Sequence, residues 1–320
     1  MAVVFITGVS GQDGGYLAEQ LLAGGDEVHG LVREQDRPAP GAQGPRLDDA
    51  HLHVTDLTDF AGLSALIKDV APDEIYNLAG MSSVARSWVE PVATGEVTGL
   101  AVAAVLQAAW ELSESSGRVV RVVQAASAEI FGNPATSPQD ESTVIAPVTP
   151  YGGAKAYAHH MVGVYRGRGL HAVSAILYNH ESPRRPPTFV TRKITRTAAL
   201  IARGEADELA LGNLDARRDW GWAPDYVDAM VRAARHSEAQ DYVIATGVSH
   251  SVSEFVAAAF GRAGIDDWER YVRVDPAFVR PVDAFELVGD STRARTELGW
   301  APTRSFADIV AAMVDTDLSA

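Results

Sequence analysis

An apolar run from Ala2 to Thr7 empties into Gly8-Val9-Ser10-Gly11-Gln12-Asp13-Gly14-Gly15, and a helical pattern follows from Tyr16 to Leu22. No other stretch restricts the folding of the chain so strongly. A short unbroken apolar segment bounded by turn signals suits a strand covered on both faces. Glycines at 8, 11 and 14 then allow a tight turn, close approach of the backbone to a pyrophosphate, and packing of the helix onto the strand. The helix start adds N–H groups and the positive end of its dipole. Strand, glycine turn and helix in this order make up a dinucleotide-binding arrangement, although the spacing is Gly-x-x-Gly-x-x-Gly rather than Gly-x-Gly-x-x-Gly. Gly8, Ser10, Gly11, Gln12, Asp13 and Gly14 are the expected cofactor contacts of this turn.

The alternation continues. Glu27 to Val32 reads as the second strand, and its end chooses between cofactors: a carboxylate binds a ribose 2′-hydroxyl, whereas a cation accepts a 2′-phosphate. Val32 is followed by Arg33 and then Glu34, which favours NADP, with NAD as the alternative. Residues 34 to 50, rich in Pro, Gly and Asp, read as a loop. His51 to Val54 resumes strand character, with Asp56 and Leu57 at its end near an adenine. Leu63 to Val70 reads as a helix, and Glu74 to Leu78 as a strand that opens, through Leu78 and Ala79, into the small-residue loop Gly80-Met81-Ser82-Ser83. Such loops at strand carboxyl ends bind ligands in open α/β sheets. Helices at Val97 to Glu114 and Tyr151 to Tyr165 alternate with strands at Arg118 to Ala125 and Ala172 to Leu177. The expected fold is a Rossmann-type, doubly wound parallel sheet. Residues 1–178 are its cofactor domain; 179–320, with some segments returning to the sheet, form a smaller substrate lobe. In that lobe Ser251-x-x-Glu254 reads as a capping box.

Tyr151 and Lys155 are four residues apart, so on a helix they share one face. An ammonium beside a phenol lowers the phenol's pKa, so that Tyr151 could take a proton from a sugar hydroxyl that Ser127 orients. Only three of the 27 Lys and Arg residues are lysines: Lys68, Lys155 and Lys193. In a chain that otherwise uses Arg, a retained Lys points to a site needing a compact ammonium.

A net charge of −15 argues against a nucleic-acid partner. Against it, Arg184, Arg185, Arg192, Lys193, Arg196, Arg203, Arg217 and Arg218 gather in one stretch, and the natural ligand is a sugar-nucleotide diphosphate. The chain has no cysteine, which excludes disulfides and Cys-ligated metals. His159-His160 and His51-x-His53 read as packed or solvated, and no metal is expected. Met1 to Thr7 is too short for a signal peptide, and the longest apolar stretch, Leu100 to Trp110, is too short for a membrane span. A cytoplasmic location and no membrane partner are the expectation.

These blocks together resemble a family. Thr7 to Gly14, Tyr76-Asn77-Leu78-Ala79, Ser127-Ala128-Glu129, Tyr151 to Lys155, Tyr178-Asn179-His180-Glu181-Ser182-Pro183-Arg184-Arg185 and Leu211 to Gly221 are similar to GDP-mannose 4,6-dehydratases, which are extended short-chain dehydrogenases/reductases. The resemblance covers nearly the whole chain. It implies a hydro-lyase with recycled NADP that gives a 4-keto-6-deoxy sugar. Tyr151, Lys155 and Ser127 would oxidise C4, and Glu129 would remove the C5 proton. Ser82, Asn179, Glu181, Arg185, Lys193 and Arg218 would face the substrate, with Arg280 and Asp283 at its ribose. Phe189 to Lys193 and the Asn179 to Arg185 block imply guanosine. Ser127 stands where the family usually has Thr, and Met81-Ser82-Ser83 where it has Gln-Ser-His, so GDP-mannose and a GDP-heptose both stay open. A GDP-sugar 4-epimerase, a 4-keto reductase and a non-catalytic NADP-binding sensor are the alternatives. A homodimer through Val97 to Glu114 and Tyr151 to Tyr165 is implied, or a homotetramer.

Overall fold

The computed structural model describes residues 1–36, 47–278, 282 and 284–320. The first half runs β1 (Val3–Thr7), α1 (Gln12–Ala23), β2 (Glu27–Val32), β3 (His51–Val54), α2 (Phe60–Val70), β4 (Glu74–Asn77), α3 (Val84–Val89), α4 (Pro91–Gly95), α5 (Ala101–Ser116), β5 (Arg121–Ala125), α6 (Pro150–Gly167) and β6 (His171–Leu177). The second half continues with β7 (Asn179–Glu181), α7 (Val190–Ala202), β8 (Leu209–Leu211), β9 (Arg217–Trp222), α8 (Ala223–Arg235), β10 (Asp241–Ile244), β11 (Ser249–Ser251), α9 (Val252–Arg262), β12 (Val272–Val274), β13 (Glu286–Leu287), α10 (Thr292–Glu297) and α11 (Phe306–Leu318).

Among the described residues, seven parallel strands form the main sheet in the order β10-β6-β5-β4-β1-β2-β3. In β1 the side chains alternate between two cores. Val4 and Ile6 join one that includes Leu17, Val28 and Met230, with α1 and α8 over it. Phe5 joins the other, with Leu63, Ile67, Val105 and Val162 of α2, α5 and α6. Covered on both faces, such strands have to be apolar throughout, which is the pattern seen in the sequence. A third core around Trp220, Phe255 and Phe260 is enclosed by α7, α9 and α11. There β9 pairs with β11, β13 and β7, and β7 directly follows β6. Chain order reverses between β1 and β4, which opens a crevice at their carboxyl ends.

The helix before β5 is longer than its apolar run suggests. Pro91–Ser116 forms one continuous helix of 26 residues, long and apolar enough by length and composition to cross a membrane. Gly95 and Gly99 dilute the apolar signal, and a π-turn at Glu96–Leu100 joins α4 to α5. Half of its most apolar window is buried inside the fold. Its inner face packs on α2 and α6 as a core helix.

Candidate active site

The crevice between β1 and β4 is built from small residues and a hydrogen-bond chain. Gly8 has φ +72°, and a Cβ there would lie 3.0 Å from the Ala79 Cα, so the glycine turn and the β4 loop touch through their backbones. At Gly14 a Cβ would lie 2.2 Å from the Gly8 carbonyl oxygen, which makes this glycine the packing contact of α1. Gly11 caps α1 without a side-chain hydrogen bond, leaving the first-turn N–H groups open to an anion. The cradle therefore fits a pyrophosphate. Behind it the Thr7 hydroxyl donates to Asn77 Oδ1 at 2.6 Å and accepts from the Leu78 and Ala79 N–H groups, both at 3.1 Å. Asn77 donates onward to Gln124 at 2.6 Å.

The side chains of Gln12 and Asp13 are engaged by β7 and the residue that follows it. The Gln12 amide reaches the His180 carbonyl at 3.2 Å and accepts from Ser182 at 2.8 Å. Asp13 accepts from His180 Nε2 at 2.8 Å, while His180 Nδ1 faces the Tyr178 carbonyl at 2.7 Å. Both ring nitrogens meet oxygen acceptors, an arrangement that favours the doubly protonated ring. Burial alone would push its pKa down, but Asp13 outweighs that and raises it, and the Asp13 carboxyl is held below its usual range in return despite its own burial. What these two residues offer a cofactor is backbone N–H; their side chains fasten the glycine turn to β7.

Arg33 is exposed at the end of β2 and pairs with Asp36 at 2.5 Å. Asp56 accepts from the Thr58 N–H and hydroxyl, which lower its pKa. Leu57 packs at the fringe of the second core. Residues 37–46 of the loop read after β2 lie outside the described residues.

At the carboxyl end of β5 the strand stops at Ala125. Ser127 caps a 3₁₀ turn at Ala128–Ile130 by accepting from the Glu129 N–H at 3.3 Å. The Ile130 carbonyl accepts from the Ala146 N–H at 3.0 Å, which ties this turn to the segment before α6. Thr149 caps α6 by accepting from the Gly152 N–H at 2.9 Å, with Pro150 at the first helical position. A Cβ on Gly152 would stand 2.6 Å from the Glu129 carbonyl oxygen. The helix thus reaches the 3₁₀ turn only because residue 152 has no side chain.

Tyr151 and Lys155 are both buried on one face of α6, with Nζ 5.9 Å from the phenol ring centre. The ammonium is spent elsewhere, donating to the Ala125 carbonyl at 2.6 Å. Burial lowers its pKa to about 8, with Asp13 opposing. The Tyr151 phenol rises to about 12, contrary to the lowering read from the Tyr-Lys spacing. Burial is the largest cause and the Glu129 charge adds to it, while a hydrogen bond with Ser127 and the charge of Arg185 pull it down. Ser127, Glu129 and Arg185 therefore all act on Tyr151.

The arginine-rich stretch does not converge. Arg184 pairs with Glu19 at 2.8 Å and stacks on Tyr16, Arg192 pairs with Asp317, and Arg203 reaches Glu205 at 2.9 Å. Arg217 binds the Ser249 carbonyl at 2.7 Å and lies 3.4 Å from Glu254, and Arg196 is exposed. Arg185 stays beside Tyr151, with its Nε 3.3 Å from the buried Glu181 carboxylate and its guanidinium 3.8 Å over the Phe189 ring. Glu181, whose pKa burial raises, also accepts from Thr191 at 2.6 Å and acts as a support for Arg185. Lys193 donates to the Ala210 carbonyl at 2.6 Å and lies 3.6 Å over the Phe278 ring. Arg218 donates to the Ala284 carbonyl at 2.9 Å. Arg280 and Asp283 lie outside the described residues; the two cations contact Phe278 and Ala284. Asn179 pairs with Trp220 across β7 and β9, and Ser82 is exposed in the loop after β4.

The sequence profile of the family described as GDP-mannose 4,6 dehydratase matches residues 5–313. The chain belongs to the GDP-mannose 4,6-dehydratase family. It is 42% identical over 325 residues to GDP-mannose 4,6 dehydratase 2 of Arabidopsis thaliana, covering 99% of this chain and 87% of that protein. It is 40% identical over 343 residues to GDP-mannose 4,6 dehydratase of Homo sapiens, covering 99% and 91%. A solved UDP-glucose 4-epimerase of Thermus thermophilus, in complex with NAD, is 26% identical with a TM-score of 0.83 over 99% of each chain.

In this member of the GDP-mannose 4,6-dehydratase family, several residues that shape the site escaped the sequence reading. Thr7, Asn77 and Gln124 have a detectable signal, since each is the polar residue at or near the carboxyl end of an otherwise apolar strand. Asp219 has none. Buried at the centre of β9, it accepts from Thr246 and the Gly247 N–H at 2.8 Å, and burial raises its pKa. Glu129 also reaches its place differently from the strand geometry that its spacing from Ser127 suggests. Two residues apart on a strand would share a face, but here the separation spans a cap and a 3₁₀ turn.

Proposed function

We propose that this chain converts GDP-mannose to the GDP-4-keto-6-deoxy sugar, with NADP as a cofactor reduced and reoxidised within each turnover. A GDP-heptose is the runner-up substrate. The position of Glu129 carries the reading: it stands on a capped turn whose backbone packs on α6 at Gly152, and its carboxylate is close enough to Tyr151 to raise that phenol's pKa. A 4-epimerase or a 4-keto reductase has no use for an acid there.

In this reading residues 1–178 hold the cofactor and 179–320 the nucleotide sugar, with α8 and β10 returning to the sheet. The glycine turn and the α1 N-terminus hold the pyrophosphate, and Arg33 takes the 2′-phosphate once released from Asp36. Bound in the crevice, the nicotinamide supplies a hydride acceptor that later returns the same hydride. Tyr151 removes the C4 hydroxyl proton while Ser127 orients that hydroxyl. With its phenol at about 12, Tyr151 needs added positive charge to act near neutrality; Arg185 already pulls in that direction. Lys155, which titrates near 8, keeps its charge at neutral pH. The C4 ketone acidifies C5. Glu129 takes the C5 proton and passes a proton to the C6 hydroxyl, which leaves as water; when the hydride is returned to C6, Tyr151 gives the proton it removed to C5 and both residues regain their starting states. Lys193, Arg218 and Asn179 bind the guanosine diphosphate, together with Arg280 and Asp283.

We also infer a homodimer, with a tetramer as the alternative. Trp88, Val89 and Val92 on α3 and α4, and Tyr157 and Val164 on α6, are exposed apolar side chains on neighbouring helices. A second copy of the chain would cover them.

The test is Glu129→Gln, which keeps the shape and removes the base. The variant should still reduce its bound cofactor when GDP-mannose is added, because C4 oxidation needs only Tyr151, Lys155 and Ser127. Water loss should fall about 10²–10⁴-fold. Wild-type product release would refute the assignment, and NAD as the sole nucleotide freed on denaturation would refute the cofactor.

A further inference from the structure

Outside the crevice, the edge of the main sheet gathers histidines from two strands. The parallel register sets His29 of β2 opposite His51 of β3, and Leu31 opposite His53. Residues two apart on a strand share a face, so Glu27, His29, His51 and His53 all project from the same side of this edge. His29 Nε2 lies 3.0 Å from Glu27 Oε1, and His51 Nε2 lies 3.8 Å from the same oxygen. One donor atom from each of these three residues falls within a span of 4.8 Å. The sequence reading took His51-x-His53 as packed or solvated, because the acid that joins it stands on the neighbouring strand.

We propose that Glu27, His29 and His51 form a site for a divalent transition-metal ion of the zinc type, with His53 as the outer partner of His29. A tetrahedral ion with ligand bonds of about 2 Å needs donors roughly 3.3 Å apart. The two measured separations bracket that value, and the His51 side chain, 62% exposed, is free to adjust. Two imidazoles and one carboxylate leave a fourth position for water, and this donor set suits zinc, copper, nickel or cobalt rather than magnesium or calcium. The outer partner is the second observation. His29 Nδ1 lies 2.9 Å from His53 Nε2, and the two rings stack within 10°. Ligating histidines are characteristically fixed through their other ring nitrogen, and His53 holds His29 in that way. When His29 Nε2 turns its lone pair to the metal, the ring proton moves to Nδ1 and is donated to His53. The site lies on β2 and β3 at one end of the strand order, whereas the Glu129 turn follows β5 on the other side of the crevice.

The experiment uses the full, untagged chain stripped with EDTA. Titration with zinc chloride by calorimetry should give saturable binding of one ion per chain, and cobalt chloride should develop the visible absorption of a tetrahedral complex. Magnesium chloride should give no saturable signal. His51→Asn, at an exposed position, should keep the metal-free melting temperature and activity of the wild type. It should weaken zinc binding at least about tenfold, and His53→Ala should weaken it about 10–100-fold. Zinc should raise the melting temperature of the wild type and not that of His51→Asn. No saturable zinc binding, or the same affinity and stoichiometry in His51→Asn, would overturn the proposal.

Discussion

Lys155 carries a cost that its neighbours do not remove. Its ammonium is buried, makes one hydrogen bond to the Ala125 carbonyl, and titrates near 8 instead of the ordinary 10.5. A shift of that size amounts to about 3 kcal/mol against the charged form. Because burial penalises the protonated form, the cost is full below about 8 and fades as the pH rises from there to 10.5. Lys155→Met should therefore melt higher than the wild type at pH 7 and lose that advantage as the pH rises beyond 8, while losing activity. Paired thermal melts across that range are the check. A variant less stable at pH 7 would mean that the ammonium makes compensating bonds. The pair's position on one helix face was legible from its spacing; the phenol's high pKa was not, since depth of burial depends on what tertiary packing lays over the helix.

Elements decide which glycines matter. In Tyr151-Gly152-Gly153-Ala154-Lys155 the two glycines look alike in sequence, yet a Cβ on Gly152 would strike the Glu129 carbonyl and one on Gly153 would meet nothing within 4 Å. Gly153→Ala should stabilise the chain by about 0.5–1 kcal/mol, the ordinary helix preference. Gly152→Ala should destabilise it by about 1–3 kcal/mol and lower kcat by displacing the 3₁₀ turn that bears Glu129. Denaturant unfolding with steady-state rates separates the two, and equal effects would show that α6 does not rest on that turn. The inner strands of the main sheet were readable as apolar runs bounded by turn residues, and β2 and β3, although they carry Glu27 and three histidines, fall where the pattern put them. The short strands β7, β9, β11 and β13 were not. Arg217–Trp222 alternates no apolar face, and its pairing is set by Asp219 holding the loops at Thr246 and Gly289 and by Tyr226 lying against Gly221. The Ser251–Glu254 capping box formed as its spacing indicated, because a cap is local.

At the scale of the whole molecule, three cores and a crevice at the strand reversal put the glycine turn, the capped turn of Glu129 and the face of α6 at the carboxyl ends of the central strands. The cation-rich stretch shows the limit of reading a ligand from charge alone. Most of those arginines close the fold through Glu19, Glu205, Glu254 and Asp317, and Arg185, Lys193 and Arg218 are the ones left near the site or its border. The exposed apolar side chains on α3, α4 and α6 predict a dimer. Light scattering at micromolar concentration should report two copies for the wild type and one for a Val92→Glu, Val164→Glu double variant, and a monomeric wild type would contradict the interface. The central claim is that one site oxidises, dehydrates and reduces the same sugar. Incubating the purified chain with GDP-mannose, with no cofactor added, and following the mass of the nucleotide sugar tests it most directly. The account predicts loss of one water with no net change in the bound cofactor's redox state; an unchanged mass, with the sugar epimerised at C4 or untouched, would contradict it.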